Sequence, residues 1–198
     1  MRFGRVGGSA VPGFALIEFL VALLIFTAVT SAMAASQLAA KRIGSDGLHR
    51  ARATLLAQDI LSSISANPTQ LSSYLVDKAG DPLALLPEPT ADCSLDPCTV
   101  EQIAAFDLWQ WEQRLLGSAE VVRSGPVGGL PAARACITQV AGTVRVAISW
   151  LGLTSASESA LSDCAADETG LYDAGGAPIG NNLRRRQAVL TRFLGGAS

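Results

Sequence analysis

Residues 13–40 read GFALIEFLVALLIFTAVTSAMAASQLAA, and no charged side chain occurs between residues 19 and 40. These 22 residues would span about 33 Å as a helix, at ~1.5 Å per residue, which is the thickness of the hydrocarbon core of a bilayer. The stretch therefore predicts a transmembrane helix. Two alternatives are a buried core helix and a cleavable secretory signal, for which Ala32-Met33-Ala34 would supply small residues at the cleavage site.

The composition of the whole chain agrees with one localised apolar segment. Of the 198 residues, 49% are hydrophobic and 16% are charged, and the mean hydropathy is +0.33. A soluble domain usually carries about 25% charged residues, so neither an ordinary cytosolic globule nor a disordered chain fits. The net charge of −2 gives no electrostatic reason to expect a nucleic-acid partner.

The helical pattern continues beyond the apolar block. After Lys41-Arg42, small and apolar residues recur at helical spacing, and we expect the helix to end near Asn67, before Pro68. Gly44 and Gly47 are weak points within it. The sequence thus predicts one helix of more than 50 residues, apolar over 14–40 and amphipathic over 41–67. The residues expected to face the core are Ala53, Ala57, Ile60, Leu61 and Ile64.

All four cysteines lie in the remaining part of the chain, residues 68–198. Cysteines placed after a membrane segment indicate an oxidising compartment and two disulfides, for which three pairings exist. Cys93 and Cys98 bracket a short loop and are expected to pair, which would leave Cys136 to pair with Cys164. A zinc site is the alternative, but the cysteine spacings and the lack of a nearby histidine disfavour it.

A second helix is predicted after the first cysteine pair. Thr99 is a candidate N-cap, Gln102 completes a capping box, and Gly117 ends the helix. The aromatic-rich run from residue 104 to residue 115 is expected to pack on a core, with contact to another subunit as the alternative. Its candidate apolar residues are Ile103, Phe106 and Leu115, with Trp109 or Trp111.

Strands follow this helix. Residues 135–140 and 143–151 form a predicted hairpin, and alternation in the second strand predicts one buried face, packed on the amphipathic half of the long helix. Residues 152–182 form a long irregular segment that is either functional or held by a disulfide at Cys164. A last strand over 184–194 begins with three arginines, interpreted as a solvated edge that blocks aggregation, with a binding patch as the alternative. The expected fold class is α+β, a long helix packed on a small antiparallel sheet.

Residues 13–24, GFALIEFLVALL, resemble the class III signal sequence of type IV pilins and type II secretion pseudopilins. The resemblance implies that residues 1–13 are a leader, that prepilin peptidase cleaves between Gly13 and Phe14, and that Phe14 is then N-methylated. Glu18 corresponds to the glutamate at the fifth mature position of that family. Pro12 stands where family members commonly carry Lys or Arg.

The charge and the position of Glu18 support a role in assembly. Phe14 and Glu18 are four residues apart and share one helix face. Cleavage at Gly13 would create a positive amine at Phe14. In a fibre built from these helices, the amine of one subunit could pair with the Glu18 carboxylate of a neighbour and set the axial register.

Segments between residues 55 and 194 narrow the resemblance to PilV-type minor pilins. The segments that carry it are LLAQDILSSISANP, CSLDPCTVEQIAAFDLWQWEQRL, ACITQV, VRVAISWLG and the ending RRR-x-AVLTRFL, together with Cys164. This resemblance implies a pilin-like fold and a minor pilin of the initiation or tip complex of a type IV pilus. It would support adhesion and twitching motility.

The resemblance also implies partners and a location. The partners are the major pilin, other minor pilins, a tip adhesin-like protein, the inner-membrane assembly platform and prepilin peptidase. The protein would cross the inner membrane once, with its head in the periplasm, and later reach the pilus at the cell surface. A minor pseudopilin of type II secretion and a membrane-anchored periplasmic binding domain that never polymerises are the alternatives.

The sequence offers no catalytic constellation. His49, the single histidine, lies on the long helix among arginines and is interpreted as solvated. No glycine-rich phosphate loop follows a strand. We therefore expect no enzyme activity, no cofactor and no metal.

Overall fold

A computed structural model describes residues 16–118, 121–122, 125–126, 128–155, 162–176 and 179–195. The chain divides into two compact units, Met1–Ile43 and Gly44–Ser198, and each is described by itself. The predicted processing site, Gly13 and Phe14, lies outside the described residues.

The described part of the first unit is helical throughout and belongs to α1, Leu16–Ala66. Every side chain from residue 16 to residue 43 is exposed. An 18-residue window of α1 has a mean hydropathy of 2.2, and none of it is buried. By length and composition this helix can cross a membrane, and the alternative of a buried core helix is wrong for these residues.

The predicted course of α1 is confirmed. The helix passes through Gly44 and Gly47 and ends at Ala66, directly before Asn67. A glycine costs a helix about 1 kcal/mol relative to alanine, which lowers stability without ending the helix. Pro68–Gln70 then forms a 3₁₀ turn, followed by the short helix α2, Leu71–Tyr74.

The second unit, called the head below, contains an antiparallel sheet of four strands in the order β1-β4-β5-β6. A hairpin turn at Ala141-Gly142 joins β4 to β5, with φ of 49° and 76°. The predicted α+β class and its three main strands are confirmed. The sequence did not predict β1, which is short and lacks alternation, or a separate two-stranded sheet, β2-β3. The strands are β1 Val76–Ala79, β2 Val121–Val122, β3 Gly125–Pro126, β4 Arg134–Val140, β5 Thr143–Leu151 and β6 Arg185–Phe193.

The remaining helix, α3 (Val100–Leu116), has the predicted ends. Thr99 Oγ1 accepts from the backbone N–H of Gln102, the Gln102 side chain accepts from the N–H of Thr99, and Gly117 closes the helix with a φ of 71°. Of the two candidate tryptophans, Trp111 is the buried one, whereas Trp109 is only partly buried. Ile103 and Phe106 are also only partly buried, so the core face of α3 differs from the expected one. That face is Ala104, Leu108, Trp111 and Leu115.

One core joins the second half of α1, α3 and one face of the sheet. Val144, Val146, Ile148 and Trp150 point into it, as their alternation predicts. The alternation predicts one buried face, but the second half of β5 is also buried on its other face. Ala147 and Ser149 on that face are buried as well. Residues 162–172, called the strap below, cover them.

Both disulfides are present, Cys93–Cys98 and Cys136–Cys164. The second bond ties the strap to β4, and the long segment after β5 is therefore held down at Cys164. The three arginines do begin an edge strand, as interpreted, but the interpretation that they are simply solvated is wrong. Arg184 and Arg186 donate to the backbone carbonyls of Gly152 and Thr154, and Arg185 donates to that of Cys164. These arginines therefore hydrogen-bond to the segment that follows β5 and to the strap.

Candidate functional site

The first candidate element is the exposed apolar helix with Glu18 near its beginning. Glu18 is exposed, and its neighbours Ile17 and Phe19 are also largely exposed. Among the described residues its carboxylate has no hydrogen-bond or ion-pair partner. A carboxylate at membrane depth costs roughly 2.5–3.5 kcal/mol on insertion scales, so such a group is expected to serve a function there.

The hydroxyl side chains within this apolar segment are satisfied by the helix itself. Thr27, Thr30, Ser31 and Ser36 each donate to a backbone carbonyl three or four residues earlier, at oxygen–oxygen distances of 2.7–3.1 Å. Hydroxyls bonded in this way need no water. This segment therefore suits a dry surrounding, whether lipid or other helices.

The second half of α1 is hydrogen-bonded firmly to the other elements of the head. The indole Nε1 of Trp111 donates to the carbonyl of Leu56 at 2.8 Å inside the core. From the sheet, the guanidinium of Arg192 donates to the carbonyl of Leu61 at 3.3 Å and to Ser65 Oγ at 2.7 Å. Bonds from both α3 and β6 thus fix the rotation of this helix about its own axis.

That rotation leaves an apolar stripe on the outside of the head. Leu48 and Leu55 are seven residues apart, share one helix face, and are 69% and 65% exposed. Ala51 and Gly44, also exposed, lie on the same face. The helix therefore has a buried apolar face inside the head and a second apolar face that the head does not cover.

A buried polar network joins α3, β1 and β4. The Glu112 carboxylate is fully buried and accepts from the backbone N–H groups of Gly80 at 2.7 Å and Leu86 at 2.8 Å. Arg134, also buried, donates to the carbonyl of Gly80 at 2.7 Å. Its guanidinium lies 3.5 Å from Glu168 of the strap. The network fixes where the chain leaves β1 and links that point to the strap.

The strap is held at the carbonyl of Cys164. Ser149 Oγ, Arg185 Nη1 and Gln187 Nε2 donate to it, at 2.9, 3.2 and 3.4 Å. At the end of the strap, the Tyr172 hydroxyl donates to the carbonyl of Ala132 at 2.9 Å. Burial raises the pKa of Tyr172 above its usual range. These bonds and the disulfide make the strap a fixed part of the head surface.

The sequence did not indicate the residues of these two networks. In the sequence these polar residues look like surface positions, and no local pattern marks them as buried. They are Glu112, Arg134, Ser149 and Gln187. His49 lies on α1 with a ring nitrogen 3.4 Å from Ser45 Oγ. Among the described residues, no group of three or more His, Cys, Asp or Glu side chains is placed to hold a metal ion.

The described residues thus combine a helix that could span a membrane, by length and composition, with an α+β head that carries two disulfides. A family model described as Tt1218-like, type IV pilin Tt1218, matches residues 35–109, from the end of the apolar segment into α3. Over these residues, which are less than half of the chain, the chain is similar to type IV pilins. Such pilins are structural proteins rather than enzymes. No curated protein and no solved structure matches the chain.

Proposed function

We propose that this protein is a minor pilin of the PilV type, acting in the initiation or tip complex of a type IV pilus. The observation that carries the proposal is an exposed apolar helix that satisfies its own hydroxyls and bears one carboxylate, Glu18, near its beginning. Its continuation lies within a region that matches a type IV pilin family. A helix of this kind can pass from lipid into a bundle of similar helices without exposing apolar surface to water.

Prepilin peptidase would prepare the chain by cutting between Gly13 and Phe14 and methylating Phe14. The new amine would lie one helical turn before Glu18. In a dry fibre core, an unpaired carboxylate or amine costs roughly 3–5 kcal/mol, so the amine of one subunit and Glu18 of the next would pair. That pairing sets the axial register of the subunit in the fibre.

The apolar stripe of the head supports the same role. Leu48 and Leu55 form an uncovered apolar surface on the head, where water surrounds an isolated subunit. Exposed apolar patches of this kind mark interaction sites. Neighbouring pilin helices, from the major pilin or other minor pilins, would cover it after assembly.

The proposed location and partners follow from this sequence of events. The chain would wait in the inner membrane with its head in the periplasm, where the two disulfides persist. The assembly platform would then transfer it into the pilus, at the cell surface, beside a tip adhesin-like protein. Adhesion and twitching motility would depend on that complex.

Mass spectrometry of the mature N-terminus tests the processing step. We expect a chain that begins at Phe14 and carries one extra methyl group. In a strain without prepilin peptidase the precursor should persist. A chain that keeps residues 1–13 or begins after Ala34 contradicts the proposal, and unchanged mobility in the peptidase-deficient strain favours a simple membrane anchor.

A deletion strain tests the cellular role. We expect loss of surface pili and of twitching with normal enzyme secretion, whereas secretion loss with intact pili indicates a pseudopilin. The variant Glu18→Ala should be processed but poorly incorporated into pili, since it leaves the neighbouring amine unpaired. Incorporation of Glu18→Ala at the wild-type level would refute the pairing.

A further inference from the structure

The edge strand β6 presents one side of its backbone to β5 and the other side to the outside of the sheet. It is the last strand in the order of four, and its pairing with β5 runs without a break along the whole strand. In an antiparallel pair, alternate residues direct both backbone groups toward the partner strand. Just beyond the last pair, the N–H of Leu194 donates to the carbonyl of Gly142 at 3.0 Å. At the other end, the carbonyl of Arg184 accepts from the N–H of Gly152 at 2.7 Å. The even-numbered residues of β6 therefore face β5, and the odd-numbered ones face outward.

Three outward-facing residues in the second half of β6 have an unpaired backbone. They are Val189, Thr191 and Phe193, whose N–H and carbonyl groups have no hydrogen-bond partner within the part of the chain that the structure describes. These donors and acceptors recur about every 7 Å along the edge, since two residues of a strand span that distance. An extended polypeptide repeats its own groups at the same spacing, so the edge matches the backbone of another strand.

The first half of β6 differs, because other parts of the head lie against it. Arg186 donates to the carbonyl of Thr154 at 2.6 Å. The Gln187 side chain donates to the carbonyl of Ser162 at 3.1 Å and accepts from its N–H at 3.2 Å. The described segments offer no such cover to the backbone of residues 189–193. The uncovered part of the edge, called the open edge below, is therefore residues 189–193.

The open edge lacks the features that usually keep strand edges from pairing. Such features are proline, a bulge, a very short strand or a charged side chain that guards the edge. The open edge reads VLTRF, and its ladder to β5 has no register shift. Its single charge, Arg192, is bonded to α1, since the guanidinium donates to the carbonyl of Leu61 and to Ser65 Oγ. The open edge can therefore accept a strand from outside the head.

The side chains beside the open edge define the strand that fits there. On the outer face of the sheet, an added strand lies next to Val189 and Phe193. On the inner face it lies next to Leu190 and Leu194, which pack against the border of the core. A fitting segment is thus extended and apolar on both faces. It also contains no proline, because proline has no N–H to donate to the open edge.

We propose that the open edge binds an extended apolar segment of a different protein, which pairs with residues 189–193 as a fifth strand of the sheet. The added backbone takes up the outward N–H and carbonyl groups, and its side chains extend the core beyond Leu190. A second copy of this chain fits less well, because its β1 has four residues and a register shift, and its β6 carries Arg192. The contact involves the head alone and does not depend on the proposed role of Glu18.

Site-specific photo-crosslinking tests the pairing in the cells that naturally produce the chain. The full chain carries p-benzoyl-phenylalanine in place of Phe193, beside the open edge. We expect an adduct with a different protein, whose crosslinked peptide is an apolar segment without proline. No adduct, an adduct with a second copy or within the chain, or one mapped to a charged or proline-containing segment overturns the proposal.

Proline at the open edge separates backbone pairing from contact between side chains alone. Thr191→Pro removes an outward N–H and keeps the ladder to β5, as proline does on edge strands. We expect the adduct yield to fall about tenfold, whereas Thr191→Val keeps the N–H and should keep the yield within about twofold. An unchanged yield in Thr191→Pro overturns the proposal. Formation of both disulfides checks folding, and Val189→Pro replaces Thr191→Pro where that check fails.

Hydrogen exchange in the isolated full chain, in detergent, tests the open edge without any partner. The amide of Arg192 bonds to β5 and should exchange slowly, whereas the amide of Thr191 faces outward and should exchange at least about tenfold faster. Equal protection of the two amides would show that the edge is already paired within the chain and would overturn the proposal.

Discussion

The side-chain carboxylate of Glu112 accepts a hydrogen bond from the backbone N–H of Gly80, with 2.7 Å between Oε1 and N. Its other oxygen accepts from Leu86, so one fully buried side chain fixes both ends of a turn that follows β1. Gly80 has a φ of 85°, and a Cβ there would lie 2.8 Å from the carbonyl oxygen of Ala133. Both the glycine and the carboxylate are therefore needed for the chain to leave β1 at this point.

Replacing the buried carboxylate tests this relationship. Glu112→Gln keeps the shape but turns one acceptor into a donor that faces a backbone N–H, and we expect a loss of about 1–3 kcal/mol in the free energy of unfolding. Chemical unfolding of the full chain in detergent measures it. Glu88→Gln, at an exposed loop position with no side-chain partner among the described residues, is the control and should change stability by less than about 0.5 kcal/mol. Equal effects of the two changes would contradict the structural role of Glu112.

The two disulfides should differ in their contribution to stability. The Cys136–Cys164 bond closes 28 residues and the Cys93–Cys98 bond closes 5. In the chain-entropy view a longer loop stabilises more, by about 3.6 against about 2 kcal/mol here. The double variant Cys136→Ser/Cys164→Ser should therefore unfold at lower denaturant than Cys93→Ser/Cys98→Ser. The reverse order would show that the bonds around the Cys164 carbonyl hold the strap without its disulfide.

Alkaline pH should weaken the head through two buried tyrosines. Burial, and for Tyr74 also its hydrogen bond to Asp107, raise the pKa of Tyr74 and Tyr172 above the usual value. Below about pH 10 both are neutral in the folded and the unfolded chain, so their contribution is intact. Above it, the unfolded chain releases protons that the folded chain retains, and stability falls by up to about 1.4 kcal/mol per pH unit for each tyrosine.

Unfolding measured from pH 8 to pH 11.5 checks this dependence. Tyr172→Phe removes one titrating group and should make the alkaline decline roughly half as steep, although it also loses the bond to Ala132. A decline of the same slope in this variant would mean that Tyr172 does not titrate with unfolding.

The apolar stripe of the head should matter for assembly and not for folding. Leu55 is 65% exposed, so Leu55→Lys should change the free energy of unfolding by less than about 0.5 kcal/mol. In a pilus the same change would bury an unpaired charge, and we expect incorporation into pili to drop several-fold. Immunodetection in sheared pili measures it, with Leu55→Met as the matched control. Normal incorporation of Leu55→Lys would show that no neighbour covers the stripe.

Local patterns in the sequence determined much of the fold. A helix end before Pro68, a capping box at Thr99 and Gln102, and a turn at Ala141-Gly142 depend on residues close in sequence. The structure has all three. The apolar segment and its carboxylate, Glu18, are likewise visible in the sequence, because charge and hydropathy need no partner to be recognised. The pilin resemblance at residues 13–24 rests on the same local signal.

Contacts between residues distant in sequence determined the remaining features of the fold. Whether Trp109 or Trp111 is buried depends on which face of α3 meets Leu56, and no helical pattern within α3 contains that information. The arginines at 184–186 look solvated in the sequence, yet they bind carbonyls about 20 to 30 residues earlier in the chain. The strap that buries Ser149 has no periodic pattern. A buried polar group is stable only where its partners converge, so its place is set by the tertiary structure and not by its neighbours in sequence.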